Sequence, residues 1–395
     1  MSQTATMTKA AGWTLWDLPF FEAEHFELAE RMAAWARENV SHHDPKVDLA
    51  KRARKLVRAF GDAGFLKHVV PPLGQGVDAR SVCLLREAIA YQDVLADDMF
   101  TMQGIGAAAV ARLGTPEQQA KYLAPCRDGT MIAALALTEA KSGSDVASTA
   151  TTATRDGDSF VINGEKAYIS NAGLADFYVT VARTGEAPGA RGLSVFMVDA
   201  DTKGLKVGPP MDLIAEHPIA AVSFVDCRVP ASAMIGEPGQ GFRAAMGTLD
   251  VFRPSVGAAA VGAARRALAE TLERLTNREM FGDKMSKLAG VQSAVADMAC
   301  DIEVSALAVY RAAWGQDKQR GRPSYEASMA KLVATEAAGR VIDRAVQLFG
   351  GMGVTQGSII ERLYREVRPM RIYEGASEVQ KLIIGRDMLN RAAKP

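Results

Sequence analysis

The sequence predicts an α+β protein with a helical first third, a β-rich middle and a helical last third. Three observations lead to this prediction. Apolar residues recur at near-helical spacing through the first third of the chain. Short apolar runs punctuated by glycine and proline follow, and they are typical of strands joined by turns. Long alanine-rich stretches come last and are typical of a helical bundle. We therefore predict domains at residues 1–130, 131–240 and 241–395.

The spacing of apolar residues predicts a series of helices in the first third. These helices cover residues 21–39, 49–63, 81–94 and 104–113. The next helix has a start signal of its own. Thr115 is a candidate N-cap, Pro116 takes the first helical position, and Gln118 completes a capping box.

The middle of the chain predicts strands and tight turns. An apolar run at residues 131–137 leads into the polar loop Thr138–Asp145. Asn163-Gly164 lies between two apolar runs and is typical of the type I′ turn of a hairpin. The predicted strands cover residues 160–162, 165–169, 177–182, 193–198 and 221–224.

The pattern of the last third predicts long helices and a short loop that carries Glu374. The helices cover residues 242–277, 291–315, 325–349, 359–364 and 377–391. Ser377 is a candidate N-cap, and Gln380 completes a capping box with it. We expect Glu374 on a short loop between an extended segment and this capped helix. Taken alone, Glu374 would be a solvated turn residue.

Composition excludes several classes of function. The chain of 395 residues carries 46 basic and 46 acidic residues, which argues against a dedicated nucleic-acid or anionic-membrane binder. Four widely spaced cysteines and five histidines give no disulfide or metal-ligand pattern, so we expect no metal site and a reducing, cytoplasmic location. Met1 to Phe20 lacks the pattern of a signal peptide, and no apolar run is long enough to span a membrane.

Five separated segments together resemble the acyl-CoA dehydrogenase family of FAD-dependent enzymes. The resemblance covers essentially the whole chain. The family patterns are L-T-E-P-x-x-G-S-D, N-G-x-K-x-W-I-T-N, R-x-x-F-G, Q-x-x-G-G-x-G and I-Y-E-G, and they correspond in that order to Leu137–Asp145, Asn163–Asn171, Arg278–Gly282, Gln347–Gly353 and Ile372–Gly375. The resemblance implies an N-terminal helical domain, a middle β-barrel or sandwich and a C-terminal four-helix bundle.

The resemblance also implies roles for individual residues, with Glu374 as the catalytic base. The implied FAD-binding residues are Leu135, Thr138, Ser144, Tyr168, Ser170, Arg278, Phe281, Gln292, Gln347, Gly350, Gly351, Ser377 and Glu378. The implied substrate-binding residues are Ser144, Asp250, Arg253 and Gly375. Without the resemblance, Arg278 would be a surface charge, and Asp250 with Arg253 a local salt bridge. Tyr168 and Ser170 replace the family's Trp and Thr, and Ala376 replaces a Thr.

The implied reaction is α,β-dehydrogenation of an acyl-CoA thioester to the trans-2-enoyl-CoA. The family passes the electrons to an electron-transfer flavoprotein. It also shares FAD sites between subunits, so at least a dimer is expected. Tetramers are usual in the family, and a homotetramer, a dimer of dimers, is the expected assembly. The alternatives are an acyl-CoA oxidase or flavin monooxygenase on the same fold, or a CoA-binding scaffold that has lost its flavin. In the family, the acyl pocket is lined partly by the segment here at Asp97–Thr101 and near Phe252. Bulky Phe252 suggests a short, branched or cyclic acyl group.

Overall fold

The structure is a computed structural model that describes residues 19–40, 47–321 and 323–393. The expectation about a signal peptide therefore falls largely on residues 1–18, outside the described part. The described residues form two compact units. Unit 1 contains those within 19–40, 78–97 and 250–393, and unit 2 contains those within 47–77 and 98–249. Among the described helices, none combines the length and apolar character that a membrane span needs.

The first third is helical, as predicted. Its helices are α1 (Ala23–Asn39), α2 (Leu49–Asp62), α3 (Ala79–Gln92), α4 (Val94–Leu113) and α5 (Pro116–Arg127). The predicted capping box opens α5, because Thr115 Oγ1 accepts from the Gln118 amide at 3.3 Å and Gln118 Oε1 accepts from the Thr115 amide at 2.9 Å. Helix α4 begins at Val94, ten residues before the predicted start at Gly104.

Unit 2 is built on a sheet. Its strands are β1 (Ala133–Ala136), β2 (Thr152–Asp156), β3 (Ser159–Ser170), β4 (Phe177–Arg183), β5 (Leu193–Asp199), β6 (Leu205–Pro210), β7 (Ile219–Pro230) and β8 (Met234–Ile235). Within the described residues the order is β6-β7-β3-β2-β4-β5-β8, with β1 paired in parallel to β4. Strands β4 and β5 are buried except at their last residues, which explains their continuous apolar runs.

The predicted hairpin turn at Asn163-Gly164 is wrong. Strand β3 runs unbroken through both residues, and Gly157 (φ 59°) lies in the turn that joins β2 to β3. Gly164 has a φ of 149° at a bulge opposite β7, and a Cβ there would lie 2.5 Å from Thr151 Oγ1. Asn163 Oδ1 accepts from the amide of Asp226 on the neighbouring strand at 2.7 Å. The Asn-Gly pair thus serves a bulge, which local sequence does not distinguish from a turn.

The last third is helical, as predicted. Its helices are α6 (Gly241–Asn277), α7 (Ala289–Asp317), α8 (Pro323–Phe349), α9 (Ile359–Met370) and α10 (Ser377–Ala392), with a short ladder of β9 (Glu279–Met280) and β10 (Asp283–Lys284) after α6. Small residues on α6 permit close packing of this helix against α3 within unit 1. A Cβ on Gly262 would lie 2.2 Å from the carbonyl oxygen of Glu87 on α3, so these helices touch backbone to backbone there.

Candidate functional site

Glu374 lies on the short loop between α9 and α10. Helix α9 extends to Met370, so the expectation of an extended segment before Glu374 is wrong. Glu374 has a φ of 53° and Gly375 a φ of 94°, so both adopt the left-handed conformation. A non-glycine residue pays about 1–3 kcal/mol for that conformation, and it persists only where surrounding contacts hold it.

Three buried side chains hold this loop through its carbonyl groups. Arg253 Nε and Gln380 Nε2 each donate to the carbonyl oxygen of Glu374 at 3.3 Å. Gln380 Nε2 and Lys331 Nζ each donate to the carbonyl oxygen of Gly375 at 2.8 Å. Lys331 and Gln380 are completely buried, and Arg253 is 4% exposed. These donors come from α6, α8 and α10, so three helices of unit 1 fix one loop.

The carboxylate of Glu374 is left available by this arrangement. Its Oε2 atom is buried and has no hydrogen-bond partner within the described residues. Burial raises the pKa of Glu374 above its ordinary value of 4.5, while the positive charges of Arg86, Lys331 and Arg253 act to lower it. A carboxylate with one buried, unpartnered oxygen and a raised pKa has the properties of a general base.

A buried ion pair belongs to the charge environment of Glu374. Arg86 Nε and Nη2 contact the two carboxylate oxygens of Asp97 at 2.8 and 2.7 Å, and Arg86 Nη1 donates to Ser255 Oγ at 2.9 Å. Arg86 is 1% exposed and Asp97 is completely buried. Burial acts to lower the pKa of Arg86, but the Asp97 carboxylate outweighs it and raises that pKa. Two parallel hydrogen bonds between a guanidinium and a carboxylate form a strong, geometrically specific ion pair.

Lys331 is a site residue that sequence reasoning missed. Burial lowers the pKa of its ammonium to about 8, against the opposing effect of Glu374. The available signal was a lysine on the otherwise apolar face of α8, between the buried residues Ala327, Ala330 and Ala334.

The predicted capping box at Ser377 is wrong. Ala376 is the N-cap of α10, and Ser377 is the first helical residue. The Ser377 hydroxyl donates to Glu336 Oε1 at 2.6 Å, because that carboxylate on α8 is closer than the amides of α10. Gln380 turns back to the loop carbonyls instead of the N-cap amide.

Asp250 and Arg253, the predicted substrate-binding pair, form a salt bridge. Arg253 Nη1 contacts Asp250 Oδ1 at 2.7 Å, while Arg253 Nε reaches the Glu374 carbonyl. The structure therefore brings Arg253 to the Glu374 loop. Glu378, the second residue of α10, is exposed.

In unit 2, a buried carboxylate organises the loop Thr138–Asp145. Glu139 accepts hydrogen bonds from the amides of Ala150 and Thr151 at 2.7 and 2.9 Å and from Lys166 Nζ at 2.8 Å. Burial acts to raise the pKa of Glu139, but these hydrogen bonds lower it to about 2. Within this fixed loop Thr138 is half-buried and Ser144 is exposed, while Leu135 is half-buried on β1.

The end of β3 presents an aromatic ring and a hydroxyl. Tyr168 has a φ of 56° at a bulge between β3 and β7, and its side chain is 60% exposed. Two residues on, Ser170 Oγ lies 2.7 Å from His217 Nε2, and His217 Nδ1 lies 3.1 Å from Asp98 Oδ2. Sequence reasoning placed Asp98 in the segment Asp97–Thr101, which the resemblance assigns to the acyl pocket. It gave His217 no role, because His217 lies in no motif and is distant from Ser170 in the chain.

Further predicted residues of unit 1 lie on its surface. Arg274 Nη2 donates to the Phe349 carbonyl at 2.9 Å and so ties the end of α6, next to Arg278, to the turn after α8. Burial and the charge of Arg278 lower the pKa of Arg274. The predicted residues exposed in this region are Arg278, Phe281, Gln292, Gln347, Gly350 and Gly351. Phe281 is 89% exposed and has a φ of 54°, a backbone conformation that is uncommon for a residue other than glycine.

Comparisons with known proteins cover most of the chain. Residues 22–130, 134–227 and 239–389 match the family descriptions "Acyl-CoA dehydrogenase, N-terminal domain", "middle domain" and "C-terminal domain". A probable acyl-CoA dehydrogenase of Mycobacterium tuberculosis is 35% identical, with 96% of this chain and 99% of the relative covered. The mitochondrial short-chain specific acyl-CoA dehydrogenase of Mus musculus is 36% identical, with 84% and 82% covered. The structure of butyryl-CoA dehydrogenase from Megasphaera elsdenii superposes with a TM-score of 0.85 at 30% identity, with 93% and 99% covered.

Proposed function

Because the chain belongs to the acyl-CoA dehydrogenase family, we propose that it converts an acyl-CoA thioester to the trans-2-enoyl-CoA with Glu374 as base. The observation that carries this proposal is the Glu374 carboxylate, buried, unbonded at Oε2 and raised in pKa on a loop fixed by three helices. Removal of a weakly acidic α-proton needs such a base.

The residues present fit FAD. Thr138 and Ser144 offer hydroxyl donors to the acceptor edge of a flavin ring, Ser170 offers a hydroxyl contact, and exposed Tyr168 offers an aromatic contact. The exposed guanidinium of Arg278 suits a pyrophosphate better than an ammonium would. When bound, FAD supplies the acceptor for the hydride that leaves the β-carbon.

The protein's own contribution is to position groups and move one proton. Glu374 takes the α-proton, and its backbone amide is proposed to donate to the thioester oxygen, where negative charge develops. Arg253, Gln380 and Lys331 hold the carbonyl groups of Glu374 and Gly375 and so fix the backbone of the loop. None of the described residues donates a hydrogen bond to Glu374 Oε2, which leaves this oxygen available to take a proton.

A homo-oligomer is part of this proposal. The exposed cluster of Arg278, Phe281, Gln347, Gly350 and Gly351 is proposed to contact the FAD of a neighbouring subunit, in a dimer or a tetramer. Electrons are proposed to pass to an electron-transfer flavoprotein. The four cysteines are free thiols, three of them buried, which supports a reducing, cytoplasmic location.

A short acyl chain is the proposed substrate class. The support is the similarity to short-chain and butyryl-CoA dehydrogenases and the bulk of Phe252 beside Arg253. The test is a panel of straight, branched and cyclic acyl-CoA thioesters assayed with an artificial electron acceptor. Highest kcat/KM on a long straight chain contradicts the substrate class. Rapid reoxidation by air of the flavin in the substrate-reduced enzyme would identify an acyl-CoA oxidase. A purified protein without flavin absorbance would identify a non-catalytic CoA-binding scaffold.

A further inference from the structure

We propose that Asp98 and His217 fix the direction of the Ser170 hydroxyl proton, and that this makes Ser170 a hydrogen-bond acceptor toward the bound flavin. Both are positioning residues that act through Ser170. The inference rests on the proposed function, since it takes Ser170 as a flavin contact.

Within unit 2, the end of β3, the segment before β7 and helix α4 bring the three residues into a chain of contacts. Ser170 is the last residue of β3 and pairs with Ile219, the first residue of β7. The amide of Asn171 donates to the Pro218 carbonyl at 2.8 Å, so the residue before Pro218, His217, is fixed beside Ser170. The side chains of His217 and Asp98 are 14% and 16% exposed, so water has limited access to the pair.

The chemistry of these groups assigns the protons. An ionised carboxylate only accepts hydrogen bonds, so the 3.1 Å contact with Asp98 requires the proton on His217 Nδ1. In a neutral imidazole with this proton, Nε2 has a lone pair, which accepts the Ser170 proton across 2.7 Å. A serine has only one hydroxyl proton. Once Ser170 has donated this proton to His217, its hydroxyl oxygen can only accept a hydrogen bond from any further group.

The direction of this proton has a measurable consequence. A hydroxyl that accepts stabilises a flavin nitrogen that carries a proton, which is the reduced form. A hydroxyl that donates stabilises the unprotonated nitrogen of the oxidised form. The Asp98–His217 pair should therefore raise the two-electron reduction potential of the enzyme above that of the same site with a donating Ser170.

Asp98→Asn in the FAD-loaded enzyme is the central test. When the asparagine NH₂ group donates to Nδ1, the ring proton moves to Nε2 and the Ser170 proton is released for donation, and the ¹⁵N shifts of His217 in the variant show this tautomer. The reduction potential of the variant, measured at pH 8 against reference dyes, should be about 30 mV lower than that of the parent enzyme. This difference corresponds to about a tenfold change in the equilibrium constant for two-electron reduction. Loss of the negative charge of Asp98 alone would raise the reduction potential. The sign of the change in potential therefore separates this charge effect from the effect of the Ser170 proton. An unchanged or raised potential overturns the proposal.

A double variant and a matched control sharpen the result. In the Ser170→Ala background, Asp98→Asn should no longer lower the potential, because the residue through which it acts is gone. A fall that persists there overturns the proposal. Glu216→Gln removes a carboxylate next to His217 in sequence, one that contacts Arg52 Nη1 at 2.9 Å. It should produce no fall, and a fall as large as that of Asp98→Asn also overturns the proposal.

The ring nitrogens of His217 give a readout that needs no flavin. Their ¹⁵N chemical shifts in the FAD-free wild-type protein at pH 8 should show a protonated Nδ1 and an unprotonated Nε2. The opposite tautomer overturns the inference even if the enzyme is fully active. A purified chain that never binds FAD overturns the proposed function and the inference together, and its absorption spectrum shows this before any variant is made.

Discussion

The ammonium of Lys331 lies 2.8 Å from the carbonyl oxygen of Gly375, one residue after the proposed base Glu374. Lys331 is completely buried, and its pKa is lowered to about 8. A single side chain thus anchors the backbone of the loop and supplies a positive charge to its carboxylate. The lysine is still mostly protonated at neutral pH, so both effects operate together.

Glu374→Gln should keep FAD and lose turnover. The amide has nearly the same shape as the carboxylate but cannot take a proton, and general-base catalysis contributes about 10²- to 10⁴-fold. The measurement is kcat with an artificial electron acceptor, alongside the flavin absorbance of the purified variant. The exposed Glu273 on α6 is the control, and Glu273→Gln should match the parent enzyme. A Glu374→Gln enzyme with near-parental kcat would falsify the base assignment.

The pH profile of kcat/KM should report the raised pKa of Glu374. The base works only when ionised, so activity falls as the pH drops through its pKa, and burial places that limb above 4.5. Lys331→Met removes a positive charge that lowers this pKa, so the limb should move to higher pH. Lys381→Met, at an exposed position on α10, is the control and should leave the limb in place. Movement to lower pH in Lys331→Met would contradict the assigned electrostatics.

Asp97→Ala should strongly destabilise the protein. It leaves the Arg86 guanidinium buried without its carboxylate, which costs about 3–5 kcal/mol. Urea denaturation of the two proteins measures the difference. Replacing both partners, as Arg86→Met with Asp97→Leu, should recover much of the loss, because no uncompensated charge remains.

The exposed pair of Arg228 and Asp156 provides the matched control for that experiment. These side chains are 54% and 61% exposed, so Arg228→Met should cost about 0–1 kcal/mol. Equal losses for Asp97→Ala and Arg228→Met would mean that burial does not decide the stability of these pairs.

Gly375→Ala should impair catalysis through the loop. The φ of 94° disfavours alanine, and its Cβ would lie 2.5 Å from Gln380 Nε2, a donor to the loop carbonyls. We expect a cost of about 1 kcal/mol or more and a lower kcat with FAD retained. The control is Gly385→Ala on α10, where a Cβ has open space and φ is negative, so stability should rise slightly. Parental kcat and thermal midpoint in Gly375→Ala would show that the loop tolerates another conformation.

The sequence predicted features that depend on local patterns. Helix periodicity and the Thr115–Gln118 capping box identified elements that the structure confirms. Predictions from the sequence were wrong where a group distant in the chain makes a hydrogen bond or a strand pair that local sequence assigns elsewhere. Ser377 has the sequence of an N-cap, but Glu336 on another helix takes its hydroxyl. Asn163-Gly164 has the sequence of a turn, but pairing with β7 converts it to a bulge.

The same limit applies to the candidate site. Glu374 could be found because a short motif surrounds it. The helix pattern signals that Lys331 is buried, but its contact with Gly375 is created only by folding. His217 could not be found, because it becomes a site residue only through its contact with Ser170. A single sequence carries no record of those distances.

The anchoring of one loop by α6, α8 and α10 also determines how the loop can move. Loops usually open by local fluctuations far cheaper than global unfolding, and their amides exchange with solvent quickly. Here the loop carbonyls can be released only if buried donors on three helices withdraw. The base should therefore stay in place until the bundle itself begins to open. Loss of activity on heating should then coincide with loss of tertiary structure in unit 1 instead of preceding it.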